Sequence, residues 1–227
     1  MGILYLVATP IGNLADFSNR SVDVLKSVDV IACEDTRTSA KLLGHYGIQT
    51  PTLAFHQHNE HRKVALLLER LDSGQNIALI SDAGTPGVSD PGFLAARKAH
   101  LGGHTVCAIP GASAALVALT ASGLPSDRFI FEGFLPAKKG RAGRLDAIAA
   151  QESTVILFES VHRIRKLVNE LADRCEEHRT IAVCRELTKQ FEEVIRGKRD
   201  EVRDKIASHP NLKGEFVVII AGKNYSD

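Results

Sequence analysis

The sequence contains no tryptophan and a single methionine, and aromatic residues make up only 5% of its 227 residues. The interior must therefore be filled mainly by aliphatic side chains. Hydrophobic residues account for 44% of the chain, which is enough for a substantial core. An aliphatic interior is typical of parallel strands that are buried on both faces of a sheet. The length allows one large domain or two small ones.

Neither sign of charge predominates, because 28 lysines and arginines stand against 27 aspartates and glutamates, for a net charge of +1. The chain as a whole is therefore not an electrostatic attractor for nucleic acid or membranes. A surface that binds a polyanion must be a local patch. The segment 138–144, Lys-Lys-Gly-Arg-Ala-Gly-Arg, is one candidate because it carries four cations. An ordinary exposed loop is an equally good interpretation of that segment.

The cysteines show no Cys-x-x-Cys spacing; they are Cys33, Cys107, Cys175 and Cys184. Cys33, Cys107 and Cys184 lie in or beside apolar, strand-like runs, so we expect these three to be buried free thiols in a reducing compartment. The N-terminal residues lack the basic region and the cleavage site of a signal peptide. No apolar run approaches the length of a membrane span. These absences predict a cytoplasmic protein with no membrane partner.

Apolar runs alternate with amphipathic stretches in the first half of the chain. We expect strands at 4–8, 29–33, 52–55, 77–80 and 105–109, and helices at 18–28, 38–46, 59–71, 93–101 and 113–121. The stretch 59–71 shows the helical pattern clearly, because Val64, Leu67 and Leu71 share one face. This alternation of strands and helices implies a parallel sheet with right-handed crossovers.

The pattern changes after Ser122-Gly-Leu-Pro-Ser126, which we interpret as a domain boundary. Beyond it we expect strands at 129–134, 154–158, 180–184, 191–196 and 216–221, and helices at 144–151 and 161–174. Closely spaced strands with few helices favour a mixed sheet. The predicted fold class is α/β, with two α/β domains at 1–121 and 122–227. The sheet should be mainly parallel in the first domain and mixed in the second.

Three expected strands of the first domain end in loops of small residues. The loops are Ala8-Thr-Pro-Ile-Gly-Asn13, Ser81–Gly92 and Pro110-Gly-Ala-Ser113. Open α/β sheets bind ligands at the carboxyl ends of their strands, and glycine lets the backbone approach a ligand closely. None of the loops has the spacing of a Walker or dinucleotide motif. We therefore expect one shared cleft that holds a small ligand by backbone groups.

The segment Ser81–Gly92 is the most informative of the three loops, because three glycines and two prolines fix its path. It carries two carboxylates, at Asp82 and Asp90. Asp90 precedes Pro91 and is interpreted as the cap of the following helix. The alternative for the whole segment is a solvated turn that only connects a strand to a helix.

Charged residues follow other expected strands. The run Glu34-Asp-Thr-Arg37 directly follows the second strand and offers acid/base or substrate-binding groups. Helix capping by Asp35 or Thr36, with Arg37 in solvent, is an equally good interpretation. The runs Arg185-Glu-Leu-Thr-Lys189 and Phe158-Glu-Ser160 would supply groups from the second domain to the far wall of the cleft.

Histidines are concentrated in Phe55-His-Gln-His-Asn-Glu-His61. The spacing of His56, His58 and His61 does not match a zinc signature, and no second cluster supplies further ligands. We therefore predict no metal. A loop that touches substrate, or a polar helix start, is favoured for this segment.

Five segments of this sequence together resemble those of a known family. They are Leu4-Tyr-Leu-Val-Ala-Thr-Pro-Ile-Gly-Asn-Leu14, Cys33-Glu-Asp-Thr-Arg37, Ser81–Gly92, Pro110-Gly-Ala-Ser113 and Phe131-Glu-Gly-Phe-Leu-Pro136. The family is ribosomal RNA small subunit methyltransferase I, within the tetrapyrrole methylase superfamily, also called class III methyltransferases. The resemblance extends from Tyr5 to about Gly222, nearly the whole chain.

The resemblance implies an enzyme that uses S-adenosylmethionine (SAM) as its methyl donor, bound in a cleft between two α/β domains. It implies 2′-O-methylation of a cytidine ribose in the decoding centre of 16S ribosomal RNA. The substrate is expected to be that RNA or the small ribosomal subunit. The resemblance also implies a homodimer.

The resemblance further implies which residues contact the donor. From the three loops and the start of the next helix these are Pro10, Ile11, Gly12, Asp82, Gly84, Thr85, Ala112, Ser113 and Ala114. Looser matches in the second domain are Phe158, Leu187 and Gly214. Asp82 is expected to bind the donor rather than to act as the catalytic base.

Attack by a ribose hydroxyl would benefit from a base or a nearby cation, because a sugar hydroxyl is a weak acid. Our hypothetical catalytic residues, chosen for their chemistry and their expected position, are Asp35, Arg37, Glu186 and Lys189. The residues predicted to contact RNA phosphates are Lys138, Lys139, Arg141 and Arg144.

Two other functions are compatible with the same fold. One is SAM-dependent C-methylation of a tetrapyrrole in the cobalamin or siroheme pathway. Those branches carry a glycine-rich first loop ending in Gly-Asp, whereas this chain has Thr-Pro-Ile-Gly-Asn13. Polar and basic segments at 56–61 and 138–144 also suit a macrocycle poorly. The other is a non-catalytic SAM-binding protein of the ribosome, which the charged run Glu34–Arg37 disfavours.

Overall fold

Five apolar runs in the first half of the chain form a parallel sheet. In the computed structural model, which describes every residue from Met1 to Asp227, the strands are β1 (Ile3–Val7), β2 (Val30–Cys33), β3 (Thr52–Ala54), β4 (Ile77–Ile80) and β5 (Thr105–Ile109). Their order is β3-β2-β4-β1-β5, and every pairing is parallel. Strands β2 and β4 are buried along their whole length, which explains their uninterrupted apolar sequences.

A helix follows each of the first four strands, and the four helices are divided between the two faces of this sheet. The helices are α1 (Asn19–Ser27), α2 (Thr36–His45), α3 (Glu60–Asp72) and α4 (Phe93–Leu101). Successive side chains of a strand point to opposite faces. Accordingly, Ile77 and Leu79 of β4 pack with α3 and α4, whereas Ala78 and Ile80 pack with α1 and α2. A layer of helices on each face therefore leaves the strand ends open for ligands.

The second half of the chain forms a mixed sheet. Its strands are β6 (Phe129–Phe134), β7 (Thr154–Ser160), β8 (Thr180–Arg185), β9 (Glu193–Lys198) and β10 (Glu215–Ile220). The order is β6-β7-β10-β8-β9, with β6 and β7 parallel and the other neighbours antiparallel. One parallel and one mixed sheet confirm the predicted fold class.

Four helices accompany this second sheet: α5 (Ala114–Ser122), α6 (Arg141–Ala149), α7 (Ile164–Ala172) and α8 (Arg199–Ser208). The last three share one core with the inward side chains of β7, β8 and β10. Helix α8 was not predicted, because most of its residues are charged. Its only strong signal was the pair Val202 and Ile206, four residues apart and both buried.

Contacts within the chain separate two units, Met1–Ser113 and Ala114–Asp227. The division assigns α5 to the second unit, whereas the expected boundary lay after residue 121. That boundary stays a prediction, since it concerns which segments fold independently. None of the helices combines the length and apolar character that crossing a membrane requires.

All four cysteines are free thiols. Cys33 and Cys184 are buried as expected and Cys175 is buried as well, but Cys107, which was expected to be buried, is partly exposed. The difference has a topological reason: Cys107 lies on β5, an edge strand with little cover over its middle residues.

Candidate functional site

The three small-residue loops lie side by side because the strands they follow are neighbours. Strand β1 lies between β4 and β5, and all three run in the same direction. Their carboxyl ends therefore open onto the same edge of the first sheet. The structure thus brings together the three loops that the sequence had singled out.

Backbone and hydroxyl hydrogen bonds join the first two loops. The amide of Thr9 donates to the carbonyl of Gly84 at 2.8 Å, and the amide of Gly84 donates to the carbonyl of Thr9 at 3.1 Å. The Thr9 hydroxyl also donates to the carbonyl of Ser81 at 3.1 Å. Thr9 and Ser81 are only 1% and 2% exposed, so these bonds are shielded from water. The two loops therefore form one rigid wall.

The third loop is joined to this wall by close contacts. The Thr85 hydroxyl donates to the carbonyl of Ala112 at 3.1 Å. A Cβ atom on Gly111 would lie 2.9 Å from the Cβ of Ala8, so any side chain at position 111 would push the first and third loops apart. The roles of Thr9 and Gly111 were not predicted, because sequence spacing does not indicate contacts between loops.

Gly84 leaves a small space between the first and third loops. Its φ of +79° lies in the left-handed region, and an added Cβ would lie 3.4 Å from Ile11 Cγ2 and 3.8 Å from the Ala112 carbonyl oxygen. Ile11 itself is buried, whereas Gly12 beside it is exposed. This arrangement of backbone groups with no side chain at its centre suits a small ligand held closely by main-chain atoms.

Acidic side chains gather at the same edge. The amide of Asp35, which follows β2, donates to Asp82 Oδ1 at 3.1 Å. Burial raises the pKa of Glu34, and the nearby charge of Asp82 raises it further. Burial likewise raises the pKa of Asp90 to about 6, with Glu34 contributing and a hydrogen bond from Ser81 opposing. The edge is therefore a region of negative potential.

Asp90 does not cap helix α4, contrary to the sequence interpretation. The N-cap residue is Gly92, with a φ of 139° and no side-chain capping bond. The loop folds back at Gly87, whose amide donates to the Pro91 carbonyl. Asp90 is carried toward Ser81 and Glu34 instead.

The raised pKa of Asp90 predicts a pH-dependent stability. Because the folded chain binds this proton more tightly than the unfolded chain, the free energy of unfolding should fall as the pH rises from 3.8 to about 6. Asp90→Asn should remove that decline and stabilise the protein at pH 7 by about 1–2 kcal/mol. Urea unfolding across this pH range tests it, with Asp23→Asn on the exposed face of α1 as the control. Parallel curves for wild type and Asp90→Asn would contradict the prediction.

Asp35 and Arg37 are engaged with each other and with helix α2. Asp35 is the N-cap residue, and its carboxylate accepts from the Arg37 amide at 2.8 Å. Its other oxygen lies 2.8 Å from the Arg37 guanidinium, whose side chain is 90% exposed. These hydrogen bonds from Arg37 lower the pKa of Asp35 to about 2. The geometry therefore agrees with one of the two interpretations of this run, in which Asp35 caps the helix and Arg37 lies in solvent.

The histidine segment forms the start of α3. Asn59 is the N-cap residue, and its side-chain oxygen accepts from the His56 amide at 2.9 Å. The rings of His56 and His58 lie 6.0 Å apart at their centroids. No group of three or more histidine, cysteine, aspartate or glutamate side chains is placed to hold a metal ion.

In the second unit, the expected donor contacts lie at one edge of the mixed sheet. The ends of β7 and β8 flank the start of β10, since Glu215 pairs with Ser160 and Phe216 pairs with Arg185. Phe158, Leu187 and Gly214 belong to these three chain ends. The structure thus groups the second-domain residues that the resemblance had matched more loosely.

Glu186 and Lys189 join two of these ends. The Lys189 ammonium donates to Glu186 Oε1 at 2.9 Å and to Glu215 Oε2 at 3.0 Å, and the Glu215 amide donates to Glu186 Oε1 at 3.1 Å. Burial alone would raise the pKa of Glu186, but these hydrogen bonds and the nearby cations hold it below its usual value. Gly214 makes room for this carboxyl group, because a side chain at position 214 would force Glu186 to shift and would have to adopt a φ of +102°.

The residues after Glu186 adopt an uncommon backbone. Glu186 and Thr188 have φ values of 50° and 66°, which non-glycine residues rarely adopt. Between them Leu187 is 6% exposed. The Thr188 hydroxyl is buried without a hydrogen-bond partner. Such strain persists only where the surroundings enforce it, and no sequence pattern indicated it.

The predicted RNA-binding residues divide into two groups. Lys138, Lys139 and Arg144 are exposed, and Arg144 pairs with Glu132 at 3.1 Å. Arg141 differs from the prediction. It is 4% exposed and pairs with Glu170 at 2.7 Å and Glu159 at 3.7 Å. Because Arg141 lies at the start of α6, its side chain points into the core of this unit and does not reach solvent.

The parallel sheet with joined glycine loops and the mixed second sheet define a class of methyltransferase fold. The family model for Tetrapyrrole (Corrin/Porphyrin) Methylases matches residues 3–203. Solved structures share the fold. A diphthine synthase has a TM-score of 0.74 at 14% identity, covering 97% of this chain and 90% of its own. A uroporphyrin-III-C-methyltransferase from Thermus thermophilus has a TM-score of 0.65 at 19% identity, covering 98% and 95%.

Curated relatives are much closer in sequence. The ribosomal RNA small subunit methyltransferase I of Haemophilus influenzae is 50% identical over 228 residues, spanning all of this chain and 81% of the relative. Its counterpart in Pseudomonas aeruginosa is 47% identical over 223 residues, spanning 97% and 79%. The chain therefore belongs to the ribosomal RNA small subunit methyltransferase I family, and it is an enzyme of the methyltransferase class.

Proposed function

We propose that this enzyme transfers a methyl group from SAM to the 2′-oxygen of a cytidine ribose in the decoding centre of 16S ribosomal RNA. The observation that carries the proposal is the 50% identity, across the whole chain, to a relative named as a small-subunit ribosomal RNA methyltransferase. The donor loops support it, since Thr9, Gly84 and Ala112 belong to one bonded cradle.

The residues of the first unit fit SAM on two physical grounds. A Cβ added at Gly84 would lie in contact with Ile11 Cγ2 and the Ala112 carbonyl oxygen, so a ligand in that space meets one apolar side chain and the backbone. The acidic edge formed by Glu34, Asp82 and Asp90 favours a ligand of net positive charge. The donor carries a sulfonium, and its demethylated product does not, so the same edge holds the donor better than the product.

SAM, when bound, supplies a methyl group on a positively charged sulfur. The chain's own contribution is chiefly alignment, because holding two reactants in the correct geometry removes much of the barrier. Hydrogen bonds between the Thr9 and Gly84 backbones keep the first two loops in place. Leu187 is held by its two strained neighbours and by the Glu186–Lys189–Glu215 contacts. The burial of Thr9 and Ser81 excludes water from the hydrogen bonds between the first two loops.

The catalytic roles of Asp35, Arg37, Glu186 and Lys189 stay hypotheses, and we infer that the four residues position loops rather than move protons. Asp35→Asn and Glu186→Gln should therefore keep most of their turnover, because asparagine also caps helices and glutamine retains a hydrogen-bonding oxygen. Steady-state methyl transfer and SAM binding measure this. A fall in kcat of about a hundredfold or more, with normal SAM binding, would instead identify a general base.

Radiolabelled methyl transfer tests the proposed function directly. The acceptors to compare are assembled small subunits, free 16S RNA and uroporphyrinogen. We expect label on RNA in at least one of the first two, at a ribose 2′-oxygen. Label on uroporphyrinogen would overturn the proposal in favour of a tetrapyrrole methylase. SAM binding without transfer to any acceptor would favour a non-catalytic ribosomal role.

We further propose that the enzyme is a cytoplasmic homodimer whose exposed cations, Lys138, Lys139 and Arg144, contact RNA phosphates. The family resemblance supports the dimer, and the solvent exposure of these three side chains supports the phosphate contacts. Sedimentation equilibrium at micromolar concentration tests the dimer, and a single monomeric species would contradict it.

A further inference from the structure

Strand β6 contains a bulge that changes which side chains share a face. Phe131 pairs with Ile156 and Phe134 pairs with Phe158, but the register shifts between Phe131 and Gly133. Glu132 is therefore the extra residue of the bulge. Residues three apart normally face opposite sides of a strand. The extra residue brings Phe131 and Phe134 to the same side as Phe158.

The three rings form a cluster that is open to solvent on one side. The ring of Phe158 packs edge-on against Phe131 and Phe134, with centroids 5.1 Å and 5.5 Å away. Phe134 is nevertheless 55% exposed. Its contact with Phe158 fixes the ring, while much of its surface meets water. A fixed and exposed aromatic surface is what base stacking on a protein requires.

Exposed cations follow this ring along the chain. Lys138 and Lys139 follow Phe134 by four and five residues and are exposed, so their Cα atoms lie within roughly 18 Å of it. The bulge residue Glu132 pairs with Arg144 of α6 at 3.1 Å, and the Arg144 side chain is 60% exposed. The bulge therefore places the aromatic ring, and its extra residue Glu132 holds the guanidinium of Arg144. An exposed ring in the same stretch of chain as exposed cations is complementary to an unpaired nucleotide, with its apolar base face and its phosphate.

We propose that Phe134, supported by Phe158 and accompanied by Lys138, Lys139 and Arg144, stacks against an unpaired base of the RNA substrate. The inference rests on the proposed function and deepens it, because it requires the RNA to be single-stranded where this surface binds. Bases can stack on aromatic side chains only where they are free of their own helix. The competing occupant, a second copy of this chain covering the aromatic cluster, is an outcome of the test below.

The absence of tryptophan from the chain makes a site-specific test possible. Phe134→Trp introduces one fluorescent ring at the proposed stacking position. Titration with oligouridine should quench it, and the same oligouridine annealed to oligoadenosine should quench it much less. Phe93→Trp is the matched control, because Phe93 is 68% exposed and lies at the start of α4 in the first unit. Equal quenching by single strand and duplex, or equal quenching of the two variants, would overturn the inference.

Removal of the ring gives a second readout. Phe134→Ala should weaken binding of oligouridine about fivefold to a hundredfold, and Phe134→Tyr should restore it. The salt dependence of binding should not change, since no charge is removed. Unchanged affinity, or a shift in oligomeric state caused by Phe134→Ala, would overturn the inference. Methyl transfer by the wild type tests the proposed function separately: if the wild type methylates RNA but Phe134→Ala binds normally, only the stacking role fails.

Discussion

Gly84→Ala is expected to weaken SAM binding by at least about tenfold, a free-energy loss of about 1.4 kcal/mol. The added methyl group would lie 3.4 Å from Ile11 Cγ2 and 3.8 Å from the Ala112 carbonyl oxygen. It would therefore occupy the space between the first and third loops that the proposed donor needs. Thr9 and Ser81 should keep the loops in place, so the chain should still fold. Isothermal titration calorimetry with SAM measures the effect.

Gly47→Ala separates this effect from backbone strain. Gly47 has a φ of +61°, close to the +79° of Gly84, but an added Cβ there meets nothing within 4 Å. Both variants therefore place an alanine in the left-handed region, at a cost of roughly 1–2 kcal/mol in folding stability. Only Gly84→Ala adds an atom to the proposed cradle. Similar melting temperatures with SAM binding lost in Gly84→Ala alone would support the site, whereas equal SAM affinity in both variants would contradict it.

The first sheet was predictable from sequence because its signals are local. Uninterrupted apolar runs such as Ile77–Ile80 identify buried parallel strands, and glycine-rich loops after them indicate the ligand edge. Strands β4, β1 and β5 are neighbours in the sheet because of the crossover connections between them. Local sequence patterns do not determine those connections. The contact of Gly111 with Ala8 depends on this neighbourhood. It was therefore accessible only from the structure.

Two of the wrong residue assignments have a common physical cause. Asp90 was interpreted as a cap and Arg141 as an exposed cation, each from the character of the residues around it. Both depend on groups distant in sequence: the charge of Glu34 acts on Asp90, and Glu170 and Glu159 pair with Arg141. A charged residue beside a helix start can face solvent or the core, and its own segment does not decide which. The bulge at Glu132 was missed for the same reason, since it exists only relative to β7.

Replacing Lys138, Lys139 and Arg144 together with glutamine is expected to reduce the salt dependence of RNA binding. Each lost contact with a single-stranded phosphate lowers the slope of log affinity against log salt by about 0.7, so three should lower it by about 2. A fourfold rise in salt should then cost the variant about sixteenfold less affinity than it costs the wild type. Arg141 is left intact because it is buried and paired with Glu170, and its loss would test folding instead.

A second triple variant controls for the change in net charge. Lys26, Lys41 and Arg97 are exposed cations of the first unit, and their replacement by glutamine removes the same charge. If the contacts at 138, 139 and 144 are local, the control should keep the wild-type slope, and both variants should bind SAM normally. Equal slopes for the two triple variants would mean that RNA responds only to overall charge. The net charge of +1 argues against that outcome, because the wild type would then attract RNA very weakly.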